Sequence, residues 1–147
     1  VYTLQSEVVQ RMCAKVGGED YSGFTVLTNI DYENREAFRI KAGCFFPHPN
    51  VDSSVVVMQR RQEKLVPEGL VSRFISLVRV LFSQRRKTVK NNLKGIGLTS
   101  DELEKVLSAA GIPSGERAEK LSMNQMVALA QELEDAAHRS PSKEAFE

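Results

Sequence analysis

The chain has 147 residues, 41% of them hydrophobic, and a formal net charge of +1, which suits one compact domain, or part of one with a small appendage. No stretch approaches the roughly 20 apolar residues that span a bilayer, so no membrane contact is expected, and no signal-peptide pattern opens the sequence. Cys13 and Cys44 lack metal-ligand spacing; they are read as free thiols of a cytoplasmic protein that carries no metal site.

Val1-Tyr2-Thr3-Leu4 reads as the end of a strand. Ser6 then offers an oxygen to cap a helix on which Val8, Met12 and Val16 recur at helical spacing, and Gly17-Gly18 ends it. The run from Phe24 to Ile30 is β-branched and aromatic and predicts another strand. Phe38, Ile40 and Ala42 alternate with Arg39 and Lys41, as in a half-exposed strand. Val55-Val56-Val57-Met58 is apolar on both faces, which predicts a strand inside a sheet covered on both sides.

After Arg60 the period turns helical. Pro67 suits a first helical turn, and Leu70, Phe74, Leu77 and Leu81 make one apolar face. Further helix runs towards Lys94, with Val89 and Leu93 four apart, and Gly95 and Gly97 end it. Thr99 with Glu102 forms a capping box, stapled by Leu98 and Leu103; Val106, Leu107 and Ala110 continue that face until Gly111. Ser122 with Gln125 repeats the device, with Leu121 and Met126 as staple and Val127, Ala130 and Leu133 as the buried stripe. Residues 138–147 read as a disordered tail.

The expected fold class is therefore α/β followed by all-α, with an α/β part over 1–61 and a helical part over 62–137. Strands this few, with one helix, cannot cover both faces of the 55–58 run, and they leave the first strand as an open edge. More of the sheet is expected to precede Val1, and the chain alone is expected to self-associate through that edge.

The charge is unevenly spread. Residues 60–94 carry ten basic side chains against two acidic, while 1–59 and 101–147 are both net acidic. A local positive segment on a mildly negative chain points to a polyanion contact rather than to an ordinary solvated face. On a continuous helix, Arg79, Ser83, Arg86, Lys87, Lys90 and Lys94 fall along one side, which predicts a positive stripe able to bind a phosphate backbone by counterion release. Gln84 and Arg85 carry planar groups that suit base edges or sugars, with Glu119 as an alternative partner for Arg85.

Three segments together resemble the KsgA/RsmA family of ribosomal RNA adenine N6-dimethyltransferases, which is related to the erythromycin-resistance methylases. They are Leu4-Gln5-Ser6-Glu7-Val8-Val9-Gln10-Arg11-Met12, Phe45-Phe46-Pro47-His48-Pro49-Asn50-Val51-Asp52-Ser53-Ser54-Val55, and Phe82-Ser83-Gln84-Arg85-Arg86-Lys87-Thr88-Val89-Lys90-Asn91-Asn92-Leu93. The last two resemble the family's F-x-P-x-P-x-V-D-S-x-V and F-x-Q-R-R-K-T-x-x-N-x-L motifs. Arg117-Ala118-Glu119-Lys120-Leu121-Ser122 is a weaker fourth match. The resemblance implies the C-terminal part of a Rossmann-like class I methyltransferase sheet, entered at its fifth strand, plus a small C-terminal helical domain. The family's glycine-rich turn for S-adenosylmethionine and its N-[LI]-P-[YF] catalytic loop do not occur in this sequence, so the cofactor belongs to the intact parent and this chain alone is expected to be inactive.

The family's stacking aromatic falls on Phe45. An enzyme that alkylates an exocyclic amine must take the base from its stack, and an aromatic ring supplies about 1 to 3 kcal/mol per stacked base. Pro47 and Pro49 restrict the backbone beside it. The bland alternative for Phe45 is a core aromatic beneath a loop, and Phe46 is assigned that role. The RNA-binding candidates are Arg79, Gln84, Arg85, Arg86, Lys87, Lys90 and Lys94. His48 is read as a surface loop histidine, and Arg117 and Glu119 as braces of the turn before the last helix. The partner implied is small-subunit ribosomal RNA or the assembling small subunit. A non-catalytic RNA-binding assembly module and a methylase acting on large-subunit RNA are the rival readings.

Overall fold

The structure, a computed structural model, describes residues 1–139. Most of the stretch read as a tail, residues 140–147, lies outside the described residues. The chain divides into two compact units, Val1–Lys64 and Leu65 onward.

The first unit contains strand β1 (Tyr2–Gln5), helix α1 (Ser6–Met12), helix α2 (Gly23–Thr28) and strands β2 (Tyr32–Ile40) and β3 (Ser53–Arg60). The strand order is β1-β3-β2, with β3 antiparallel to both neighbours. The central position of β3 explains its apolar run. Val56 is fully buried and packs with Val9 and Met12 of α1, with Leu4, Val8, Cys13 and Met58 around them. Cover on the opposite face is incomplete: Val55 is buried, but Phe38, its partner on β2, is 58% exposed.

Ser6 does not cap α1. Gln5 stands at the N-cap position without a side-chain hydrogen bond, and Ser6 is buried. Its hydroxyl lies 2.8 Å from that of Ser54, which donates its own proton to Glu36 Oε1 at 2.6 Å. Ser6 is thus the donor in the first of these bonds. A polar side chain inside the unit is satisfied in this way, and that need outweighs the capping preference.

The segment expected to form a second strand is α2. Thr25 Oγ1 donates to Arg11 O at 2.7 Å, and Asn29 Nδ2 donates to Met12 O at 2.8 Å. Those carbonyls end α1, where no intrahelical donor is left for them. In a helix, residues four apart are separated by about 6 Å along the axis; in a strand the separation is about 13 Å. Only the helical form lets Thr25 and Asn29 serve adjacent carbonyls. Helix α1 accordingly ends at Met12, leaving Val16 exposed and Gly17 at φ +78° in the turn beyond.

The second unit is helical: α3 (Val71–Leu81), preceded by a 3-10 turn at Glu68–Leu70, then α4 (Val89–Asn92), α5 (Ser100–Ala109) and α6 (Met123–Arg139). Leu70, Phe74, Leu77 and Leu81 are all buried, as their spacing predicts, together with Leu103, Val106, Leu107 and Ala110. Truncating a ring as deeply buried as that of Phe74 costs about 3 to 5 kcal/mol. Helix α6 packs on α3 and α5. Its buried stripe is Met126, Leu129 and Ala130, while Val127 and Leu133 are only half-buried. Thr99 and Ser122 both cap reciprocally: Thr99 N donates to Glu102 Oε2 at 2.7 Å, and Ser122 N to Gln125 Oε1 at 3.0 Å. Helix α6 continues two residues into the expected tail, where His138 Nε2 lies 3.0 Å from Glu134 Oε1.

Candidate functional site

The basic segment is not one continuous helix. Helix α3 stops at Leu81 because Ser83 folds back: its N–H and its Oγ both donate to Val80 O, at 3.2 and 2.7 Å, a local bond that competes with helix propagation. Gln84 O then accepts from Lys87 N at 2.9 Å. That i to i+3 bond closes a β-turn with Arg85 and Arg86 at its corner. Thr88 caps α4 by accepting from Asn91 N at 3.2 Å, and Val89 N donates to Glu116 O at 2.8 Å. Val89 and Leu93 are buried and anchor the far side of the turn. The expected stripe is therefore replaced by cations on the last turn of α3, a reverse turn and a one-turn helix.

This geometry separates the candidates. Arg85 Nε is 3.3 Å from Glu119 Oε2, and Lys90 Nζ pairs with Glu104. Arg79, Arg86, Lys87 and Lys94 are exposed, and no carboxylate among the described residues pairs with them. Gln84 is exposed as well. Sequence reasoning named Glu119 as an alternative partner for Arg85 but missed Glu104, which lies on a different helix and has no short-range signal.

The proline loop belongs to the first unit. A 3-10 turn at Ala42–Cys44 leads into Phe45, and Asp52 closes the loop at its base. Asp52 Oδ1 accepts from Ala42 N at 3.0 Å, Oδ2 accepts from Lys41 Nζ at 3.2 Å, and its carbonyl accepts from Ser6 N at 2.9 Å. The Ala42 N–H foremost, then Lys41, holds the Asp52 carboxyl below its usual range. Phe45 is 37% exposed, whereas Phe46 is 98% exposed. Phe46 is thus no core aromatic. Phe46 stands just before Pro47 in a loop outside the strands, and its ring is open to solvent. His48 is exposed, with Nδ1 3.5 Å from Ala42 O.

S-adenosylmethionine calls for a backbone cradle of the glycine-rich kind, between a strand and a helix. Strand β1 passes into α1 at Gln5–Ser6 with no glycine between them and with Ser6 turned inward onto Ser54. That junction does not fit the group.

Comparison with known proteins agrees with this architecture. The family described as ribosomal RNA adenine dimethylase matches residues 1–135. The chain is 39% identical over 132 residues to ribosomal RNA small subunit methyltransferase A of Syntrophotalea carbinolica, covering 89% of this chain and 50% of that protein. It is 40% identical over 131 residues to the protein of the same name from Nitrosococcus oceani, covering 87% and 47%. The chain thus spans about half the length of the curated relatives it matches. Among solved structures, a dimethyladenosine transferase from Plasmodium falciparum matches with a TM-score of 0.74 at 22% identity, over 90% of this chain and 56% of that one. The 23S rRNA methyltransferase ErmE matches with a TM-score of 0.64 at 23% identity, over 90% and 53%. At such identities the likeness is one of fold, that of part of a Rossmann-like methyltransferase.

Proposed function

This chain belongs to the ribosomal RNA adenine dimethylase family, and from that premise we propose that it is the RNA-holding, C-terminal portion of a cytoplasmic, S-adenosylmethionine-dependent adenine N6-dimethyltransferase that acts on small-subunit ribosomal RNA during subunit assembly. The carrying observation is the Gln84–Lys87 turn, which exposes Arg86 and Lys87 with no carboxylate paired to them among the described residues. Cations so placed grip phosphates, and Gln84 beside them has donors and acceptors for a base edge or a ribose. Arg79 and Lys94 extend the contact. Arg85 and Lys90, tied to Glu119 and Glu104, fix the shape of the turn.

Phe45 supplies the second contribution. Its half-exposed ring, at the foot of a loop pinned by Asp52, receives the face of an adenine drawn from its stack. We infer from the misfit at the β1–α1 junction that the methyl donor is held by residues outside this chain. The misfit also keeps in view a second reading, an assembly module that binds RNA without catalysis. Calorimetry with S-adenosylmethionine separates the two only in the intact parent; this chain is expected to give no heat of binding.

The stacking role is tested with an RNA hairpin that carries 2-aminopurine at an unpaired adenine position. The chain should quench its fluorescence, and Phe45→Ala should restore most of the signal while the thermal midpoint stays within a few degrees. Equal quenching by the wild type and by Phe45→Ala would remove Phe45 from the site.

A further inference from the structure

We infer that Asn92 is a positioning residue for RNA, a clasp that holds the basic turn in its binding shape; the inference rests on the RNA-holding reading above. Asn92 Nδ2 donates to Leu81 O at 2.7 Å and to Gln84 O at 3.3 Å. Leu81 is the last residue of α3, so its carbonyl is one of those a helix end leaves without a donor. Gln84 O is the acceptor that closes the turn, and it already receives Lys87 N. One amide group therefore fastens the end of α3 to the start of the turn from the other side of the segment, eight and eleven residues further along the chain.

The other end of the same amide shows what the residue is for. Asn92 Oδ1 is buried and has no hydrogen-bond partner among the described residues. The side chain keeps an unsatisfied acceptor inside the unit so that its two N–H groups face the two carbonyls. Aspartate would present no donor there, and leucine would fill the space without fastening anything. Asn92 itself sits at the end of α4, whose start is fixed by Thr88 and by Glu116 O and whose neighbours Val89 and Leu93 are buried. The clasp is rigid where it is rooted, and the turn it holds carries Arg85, Arg86 and Lys87. Without it, the Gln84–Lys87 backbone bond and the Arg85–Glu119 pair would hold the turn, with the unpaired charges of Arg86 and Lys87 riding on it. RNA would then have to order that turn on binding, at a cost in affinity that a preformed turn avoids.

The test uses Asn92→Leu and Asn92→Asp beside an Arg86→Gln/Lys87→Gln double variant. Trypsin cuts after Arg85, Arg86 and Lys87, so it reports the opening of the turn directly. The clasp predicts cleavage there about tenfold faster in both Asn92 variants, and RNA affinity lower by about tenfold. The dependence of affinity on salt should stay near the wild-type slope, because every cation is still present. A residue that only stabilised the fold would not alter affinity at temperatures far below unfolding. Unchanged cleavage and affinity in the Asn92 variants, with weakened binding in the double variant, would overturn the clasp and leave the RNA reading standing. Unchanged binding in the double variant would overturn the RNA reading itself. Should the Asn92 variants fail to fold, side-chain amide exchange in the wild type decides the matter: protected Asn92 Nδ2 protons support the clasp, and exchange at the rate of free asparagine refutes it.

Discussion

Neutralising Arg86 and Lys87 together is the sharpest test of where RNA is held. Each unpaired cation that meets a phosphate releases about 0.7 to 0.9 counterion. Two such contacts contribute about 1.4 to 1.8 to the slope of log affinity against log salt. Between about 50 and 200 mM salt, a fourfold change, the advantage of the wild type over Arg86→Gln/Lys87→Gln should shrink about seven- to twelvefold. Fluorescence anisotropy with a labelled hairpin, titrated at four or five salt concentrations, gives both slopes. The control follows from the ion pairs. Arg85 is held by Glu119, so Arg85→Gln combined with Glu119→Gln removes a pair without changing the net charge. Its slope should stay within about 0.3 of wild type. A double variant at positions 86 and 87 with an unaltered slope would refute the assignment, and so would a pair-removed variant that loses as much slope as that double variant.

Asp52 offers a pH test. Its carboxyl titrates below the ordinary value of 3.8 in the folded chain, so the stability it lends the loop is fully present above that value and is lost as pH falls through the lowered one. The Ala42 amide resonance should follow this titration and become flat in Asp52→Asn; a midpoint above 3.8 would contradict the hydrogen bond. Strand β1 is an edge of the sheet among the described residues, and an uncovered edge pairs with other chains. Sedimentation should show association of this chain that rises with concentration and is reduced by Thr3→Pro, and a single monomeric species at high concentration would count against it.

The helical unit was largely legible because its signals are local. The apolar spacing from Leu70 to Leu81, and the Thr99 and Ser122 capping boxes with their partners three residues on, need no tertiary information, and each falls where its chemistry predicts. What was not legible depends on distant partners. Thr25 and Asn29 carry β-favouring neighbours, yet their hydrogen bonds to Arg11 and Met12 decide for helix. Ser6 looks like a cap until Ser54 is found opposite it, 48 residues away. The stripe from Arg79 to Lys94 has a helical period, but the Ser83 bonds to Val80 and the clasp of Asn92 break the helix between its members. For the same reason the sequence ranked Phe45 and Phe46 by motif position, and exposure, a property of the folded loop, had to be seen.

The same logic divides the positive segment into cations paired with carboxylates and cations left free of them among the described residues. Ten basic residues against two acidic over positions 60–94 suggest a broad electrostatic face. In the second unit, however, Arg73, Arg85 and Lys90 are bound to Glu134, Glu119 and Glu104, all drawn from the acidic C-terminal third. The carboxylates that make residues 101–147 net negative are thus spent partly on organising the basic segment. Arg79, Arg86, Lys87 and Lys94 remain without such partners among the described residues. These four cations contribute about 2.8 to 3.6 to the salt slope, short of what these seven basic side chains would give together. Engaging Arg73, Arg85 and Lys90 as well would raise that contribution to about 5 to 6, and RNA would have to pull them from their carboxylates. Dissolving the pairs of Arg85 and Lys90 would loosen the turn that presents Arg86 and Lys87. Shape and contact are therefore coupled, and a chain that binds through a preformed turn must bind with the smaller number.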